Sequence, residues 1–388
     1  MKLNKWTAAL AAAGVVTVPS LLHAQTNSIL TALSTTTLSG YVDTSAQWNI
    51  GTGNANNPPY SFGGRSKADG FNLDVVDLAL DKPLDDSLWA AGYHVELWMG
   101  PDANLLFSQS SGNAADFAVR QAYVALRTPV GNGITWKLGV FDTIIGYEGL
   151  TSPNNPNFTR SYGFSIEPTT HTGLLGTYQV NDELSLSAGI ADTFGPTING
   201  RAPIESFKTY MGSATYTVST NAGWLSGSTV SAGVINGFNG AVDKRQTSVY
   251  AGTTFPTPIT ALKFGVALDY NRIHHDQLPP PIRGNGNIWV LGLYSSYQAT
   301  EKLAFNLRGE YVASKSDLQG LTGAPNANVD NNGIWELTAT AQYDLWKNVL
   351  SRVELRWDHV EHGKAFGGND LPTCDSAYLL AANIIYKF

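Results

Sequence analysis

The 388 residues are 43% hydrophobic, yet the mean hydropathy is only -0.11 and no run of about 18 apolar residues occurs, which excludes a bundle of membrane helices. A formal net charge of -7 is the wrong sign for a nucleic-acid partner, and the single cysteine, Cys374, excludes a disulfide framework. What remains is a large β-structure rich in glycine and aromatic residues.

The first element in the chain is a leader. Lys2 and Lys5 precede an apolar stretch from Trp6 to Val18, followed by Pro19 and the small residue Ala24. This pattern predicts a secretory signal peptide over residues 1–24, cleaved before Gln25, since the stretch is too short to span a bilayer as an anchor. Gln25 at the new terminus offers no cysteine for lipid attachment.

Beyond the leader, period-two segments recur, and sixteen strands are expected at 37–49, 71–81, 88–100, 116–127, 134–142, 171–180, 183–193, 206–218, 225–236, 245–255, 261–273, 287–299, 301–314, 333–345, 348–359 and 377–388. Short connections such as Pro83 to Ser87, Asn181 to Asp182 and Trp346 to Lys347 alternate with mostly long ones such as Ile50 to Gly70, Thr143 to Thr170 and Lys315 to Asn332. An even strand number with loops sorted by parity predicts one all-β domain over 25–388, a transmembrane antiparallel up-and-down barrel with short periplasmic turns and long extracellular loops.

The later strands separate two faces. Leu303, Phe305 and Leu307 alternate with Asn306, Arg308 and Glu310; Trp335 and Leu337 with Glu336 and Thr338; Val353, Leu355 and Trp357 with Arg352, Glu354, Arg356 and Asp358. A basic residue at mid-bilayer costs about 2–4 kcal/mol, so the charged face is expected to line water and Leu307, Trp335, Leu355 and Trp357 to face lipid. The last strand places Tyr378, Leu380, Ala382, Ile384, Tyr386 and Phe388 on one face, with Tyr386 and Phe388 also expected in lipid. A free terminal aromatic with aromatics two and four residues earlier resembles the signal that bacterial outer-membrane barrels present to the barrel-assembly machinery. A barrel of about sixteen strands keeps an aqueous lumen unless plugged. The longest connection, 143–170, is expected to constrict it, because it has little apolar material for a closing plug.

The sequences VRQAYVAL from Val119, KLGVF from Lys137, IIGYEG from Ile144, NNPNFTRSYGF from Asn154 and EPTTHTGLLGTY from Glu167 form a series. With GYVDTSAQWN from Gly40 and FNLDVVDLALDK from Phe71, the series resembles the OmpL-like β-barrel porins. Gly146, Tyr147, Glu148, Asn157, Arg160, Ser161, Pro168, His171, Thr172 and Gly173 match that family's pattern, and Thr159 stands where the family has Ser. The resemblance implies an outer-membrane pore and no particular solute.

The expected pore-lining and constriction residues are Lys137, Glu148, Arg160, Glu167, Arg308, Glu310, Glu336, Arg352, Glu354 and Arg356. Basic residues on the wall opposite Glu148 and Glu167 of the loop would set a transverse field across an eyelet, as clusters of charge do in selective pores. The alternative is a ladder of paired charges along the wall. Arg160 reads as a brace that pairs with a nearby carboxylate, and His171 as structural. His274, His275 and Asp276 suggest a metal site, and Asp358, His359 and His362 a hydrolytic cluster. Adjacent histidines on a strand point opposite ways and no Ser, His and acid set assembles, so no metal, cofactor or catalytic residue is assigned. Tyr60, Phe62, Tyr147, Phe158, Tyr162 and Phe164 fit either a sugar-stacking path or loop packing. The expected function is passive diffusion of small hydrophilic solutes, by a trimer or a monomer. A barrel enzyme of protease or lipase type and a surface adhesin or scaffold are the other classes compatible with a barrel.

Overall fold

The computed structural model describes residues 35–51, 53–60, 67–110, 115–203, 207–239, 244–274, 286–314 and 332–388. The expected signal peptide, Phe62, His275 and Asp276 lie outside them, and of His274 only the backbone is described. Sixteen strands follow one another: β1 Thr37–Asn49, β2 Gly70–Lys82, β3 Ala90–Met99, β4 Phe117–Thr128, β5 Ile134–Asp142, β6 Thr170–Gln179, β7 Leu184–Ala191, β8 Thr209–Thr217, β9 Thr229–Asn239, β10 Lys244–Pro256, β11 Leu262–His274, β12 Gly286–Gln298, β13 Leu303–Ser314, β14 Asn332–Trp346, β15 Val349–Val360 and β16 Ser376–Lys387. Among the described residues two short α-helices lie between strands, α1 (Pro101–Leu106) and α2 (Tyr162–Ile166).

Each strand pairs with its neighbours in the chain, and β1 pairs with β16 from Tyr41 and Lys387 to Asn49 and Leu379, closing an antiparallel barrel. Closure leaves no free edge, so the backbone groups of every strand find partners within the sheet. Beyond the ladder, Phe388 N donates to Gly40 O at 3.0 Å, which ties the two ends of the barrel sequence together. The spans agree with the alternation in the sequence except around β8 and β9. There Gly223–Leu225 forms a 3-10 turn that opens on left-handed Gly223 (φ 63°) and is followed by left-handed Gly227 (φ 78°), so β9 starts only at Thr229.

Alternation sends successive side chains to opposite faces. Leu307, Trp335, Leu355, Tyr386 and Phe388 stand exposed on the outer face, and Trp357 lies half-buried against His359. Between them Arg308, Glu310, Glu336, Arg352, Glu354 and Arg356 point inward and are buried. Aromatic rings band the outer face at both ends: Tyr270 packs on Trp289 and Tyr311 on Trp335 at one end, while Tyr343, Tyr386 and Phe388 mark the other.

Candidate functional site

The connection between β5 and β6, residues 143–169, does not leave the barrel; it turns into it. Its neck is closed by Thr143 N donating to Thr169 O at 2.9 Å. Gly146 takes φ 117°, and a Cβ there would strike the Glu167 carboxylate, so only glycine makes this inward turn. Asn155 then knots the segment, its amide donating to the carbonyls of Gly149 and Thr151 at 2.8 and 2.9 Å. Arg160 braces the same knot through the carbonyls of Gly149, Phe158 and Leu150 at 3.0–3.1 Å. Its partners are thus carbonyl oxygens rather than the carboxylate expected from the sequence. Ser161 caps α2 by accepting from Phe164 N at 3.0 Å.

The wall beneath this loop is laid out by strand register. Glu310, Glu336 and Asp358 form one cross-strand row on β13, β14 and β15; Arg308, Thr338 and Arg356 form the next; Asn306, Thr340 and Glu354 the third. Each row docks a different piece of the loop. Glu354 accepts from the backbone of Phe158 and Thr159 at 2.6 and 2.9 Å and from the hydroxyls of Thr159 and Thr340. Glu310 accepts the amides of Tyr162 and Gly163, the free N–H groups at the start of α2, at 2.8 and 3.2 Å. Arg308 reaches Glu148 at 2.9 Å, Thr159 O at 2.8 Å and Glu336 at 3.1 Å. Arg352 holds Ser152 O at 2.8 Å, and Arg356 holds Arg160 O at 2.7 Å while pairing with Asp358. The Arg356 guanidinium also lies between the rings of Tyr60 and Tyr162, 5.0 and 5.3 Å from their centroids.

Alternation alone assigned this charged face to open water, but the structure places the loop over it. Arg308 and Arg356 are 0% exposed and Arg352 1%. Buried charges persist only when each hydrogen-bonding group is met, and here loop backbone and neighbouring side chains of the wall and loop meet them together. Glu167, expected opposite the arginines, instead lies beside the carboxyl of Asp269, and burial next to that second acid pushes its own carboxyl well above the usual range. Lys137 stands half-buried on β5 with its ammonium 4.6 Å from the Tyr123 ring centre. His171 is fully buried, tilted against Phe141.

Several anchors escaped the sequence reading. Lys67 joins Asp74 at 2.8 Å and also Asp102 of α1. Arg120 pairs with Glu96 and, at 2.7 Å, with Asp142. Asp43 accepts from Ser152 Oγ at 2.5 Å. The signal available was parity: Asp43, Glu96, Arg120 and Asp269 each sit on the inward face of an alternating strand. The loop aromatics resolve mainly toward packing. Tyr162 and Ile166 enter a cluster with Val290, Val312, Ile334, Val360 and Phe366, while Leu150 and Phe164 meet Tyr41, Val75 and Trp98. Tyr60 packs with Leu379 and Phe158, and Tyr147 stacks on Tyr294 at 4.0 Å. The loop therefore carries more apolar anchoring than its composition suggested, because the wall supplies the other half of each cluster.

The inner faces of β6–β9 differ from this wall. Thr177 and Ser187 pair across β6 and β7 at 2.9 Å, and Thr215 and Ser231 across β8 and β9 at 3.0 Å, all four half-buried. A cavity of about 250 Å³ opens between the two limbs of the loop, bordered by Asp142, Ile145, Tyr147, Glu148, Phe164 and Glu167.

With this geometry in place, the chain can be set beside known proteins. No curated protein matches it by sequence. Solved barrels share its fold at low identity. The anion-selective porin from Comamonas acidovorans has 15% identity and a TM-score of 0.62, covering 91% of this chain and 99% of that one. The outer-membrane channel DcaP of Acinetobacter baumannii has 14% identity and a TM-score of 0.59, covering 91% and 97%. OmpT of Vibrio cholerae, in a trimer form, has 14% identity and a TM-score of 0.58, covering 91% and 99%. The sequence profile of the family described as "Putative beta-barrel porin-2, OmpL-like" matches residues 35–388, the whole of the closed barrel, and the chain belongs to that family of outer-membrane porins.

Proposed function

We propose that the barrel lets small hydrophilic solutes diffuse passively across the outer membrane, through a lumen narrowed but not closed by residues 143–169. The observation that carries this reading is the uneven docking of the loop: its charged anchors gather on β13–β15, whereas toward β6–β9 it meets apolar Leu175, Met211 and Ile235 through Ile145. It is nailed to β13–β15 by Arg308, Glu310, Glu354 and Arg356, while hydroxyls on β6–β9 remain half-exposed and space stays open between its limbs. Pore-lining character thus belongs to Lys137 on β5 and to the hydroxyl wall, while Glu148 and Glu167 of the loop border the space between its limbs. The buried wall charges set the position of the loop and act on the pore through it.

In this reading residues 1–24 direct export, the short connections face the periplasm, and β16 with Phe388 is the part engaged by the assembly machinery. Leu307, Trp335, Leu355, Trp357, Tyr386 and Phe388 contact lipid. The protein is a conduit rather than an enzyme; in support, its buried carboxylates and arginines are taken up by loop anchoring. A homotrimer is the assembly suggested by the trimer form of the Vibrio cholerae relative in fold. Planar-bilayer recording of the purified protein tests the function. Large, steady single-channel steps are expected, with liposome swelling in sugars or amino acids. A protein that folds and inserts yet never conducts would overturn the reading and favour a barrel enzyme or scaffold.

A further inference from the structure

On β9–β12 the outer face carries positive charge where apolar residues would be expected. On β11 the outward series runs Leu268, Tyr270, Arg272, so Arg272 lies one outward position beyond an aromatic at the long-connection end of the strand. On β10 Arg245 and Thr247 face outward beyond Val249. Register makes these residues neighbours: Asn236 on β9 pairs with Thr247, Thr247 with Arg272, and Arg272 with Asn287 on β12. Arg245, diagonal to Arg272, donates to Asn236 Oδ1 at 3.4 Å and lies 5.8 Å from the Phe207 ring centre. Asn236 in turn donates to Thr247 at 2.6 Å.

Among the described residues no carboxylate pairs with either guanidinium, and Arg272 Nε is buried without a hydrogen-bond partner. Elsewhere in this molecule buried guanidinium groups are met by carboxylates and carbonyls. Two like charges side by side, held by neutral amides and a hydroxyl just beyond an aromatic band, form a site for an anion supplied from outside the chain. At that depth the available anions are lipid headgroup phosphates, which guanidinium forks bind in a bidentate manner.

We propose that the outer face of β9–β12 binds the phosphate of an anionic lipid headgroup in the outer leaflet, with Arg245 and Arg272 as its ligands and Asn236 and Thr247 as orienting groups. This rests on the reading that the long connections face outward from the cell. The arginines take no part in the lumen, so lipid binding and conduction can be measured separately.

The test is native mass spectrometry of the folded porin in detergent with diphosphoryl lipid A, phosphatidylglycerol or inorganic phosphate added. The parent should retain diphosphoryl lipid A in preference to both other probes, and R245Q/R272Q should retain about thirtyfold less, since each basic group at a membrane surface contributes about five- to sixfold. R245Q alone, at the more exposed position, should show a smaller loss and guards against a folding defect in the double variant. Bilayer conductance of the same samples should be unchanged. Equal retention by parent and double variant would show that the arginines merely extend to the interface and would overturn the site. A preference for phosphatidylglycerol would overturn the assignment to the outer leaflet, and normal conductance alongside either result would leave the porin reading intact.

Discussion

On the inner face of β13–β15, Arg308, Glu310, Glu354 and Arg356 are dry and bonded to loop backbone, and Glu336 is dry and held by Arg308. On the inner face of β6–β9, Thr177, Ser187, Thr215 and Ser231 are half-buried and bond mainly to one another. The same alternation built both walls, yet the charged one is the drier. Charge on an inward strand face therefore does not by itself mark water here. It marks where an inserted loop with unpaired N–H and C=O groups needs strong partners, and on the proposed reading passage runs along the uncharged wall.

The largest effect should come from breaking the covered wall. Arg308→Met strands Glu148, Glu310 and Glu336 without their shared cation, and loss of one partner from a buried charge cluster costs roughly 3–5 kcal/mol. Denaturant unfolding in detergent should show that loss, and bilayer recording should show a larger, noisier conductance as the loop detaches. An unchanged midpoint and unchanged steps would mean the loop does not depend on this wall. Glu354→Gln should act in the same direction more weakly, by about 1–3 kcal/mol, because the amide cannot accept from both Phe158 and Thr159 as the carboxylate does.

Acidity sharpens the comparison through Glu167, a loop carboxyl raised by burial and by Asp269. A carboxyl raised in the folded state binds more protons there than in the unfolded chain, so its contribution favours folding least at high pH. Stability should decline as pH rises above the ordinary value of 4.5. The slope from this one group is at most about 1.4 kcal/mol per pH unit. Unfolding midpoints across pH 4 to about 8 should slope downward in the parent and less so in Glu167→Gln; parallel slopes would remove Glu167 from the account.

The smallest stability effect is expected on the open wall. Ser187→Lys should change unfolding by no more than about 0.5 kcal/mol, as ordinary substitutions at wetted positions do, while moving reversal potentials toward anion preference. A large stability loss with no shift in selectivity would place Ser187 in a packed interior and erase the contrast between the walls.

The fold was legible because period-two alternation is local: Leu303 to Glu310 and Trp335 to Asp344 declare their faces without reference to anything distant. The docking was not legible, because it joins residues such as Glu148 and Arg308 across the lumen, and no local pattern records that a loop lies on a face. Arg160 shows the same limit. Its charge suggested a carboxylate, but the knot at Asn155 presents carbonyls to it. Glu167 shows it again, since nothing near it in the sequence announces Asp269.

Thiol accessibility tests the contrast most directly. In a Cys374→Ser background, Ser187→Cys and Thr340→Cys place one thiol on each wall, the first half-buried and the second 2% exposed beneath Asn157. A charged, membrane-impermeant thiol reagent added during bilayer recording should block Ser187→Cys channels promptly and leave Thr340→Cys channels conducting. Equal rates of block at the two positions, with both variants folded, would contradict the claim that the loop covers the charged wall and leaves the hydroxyl wall open.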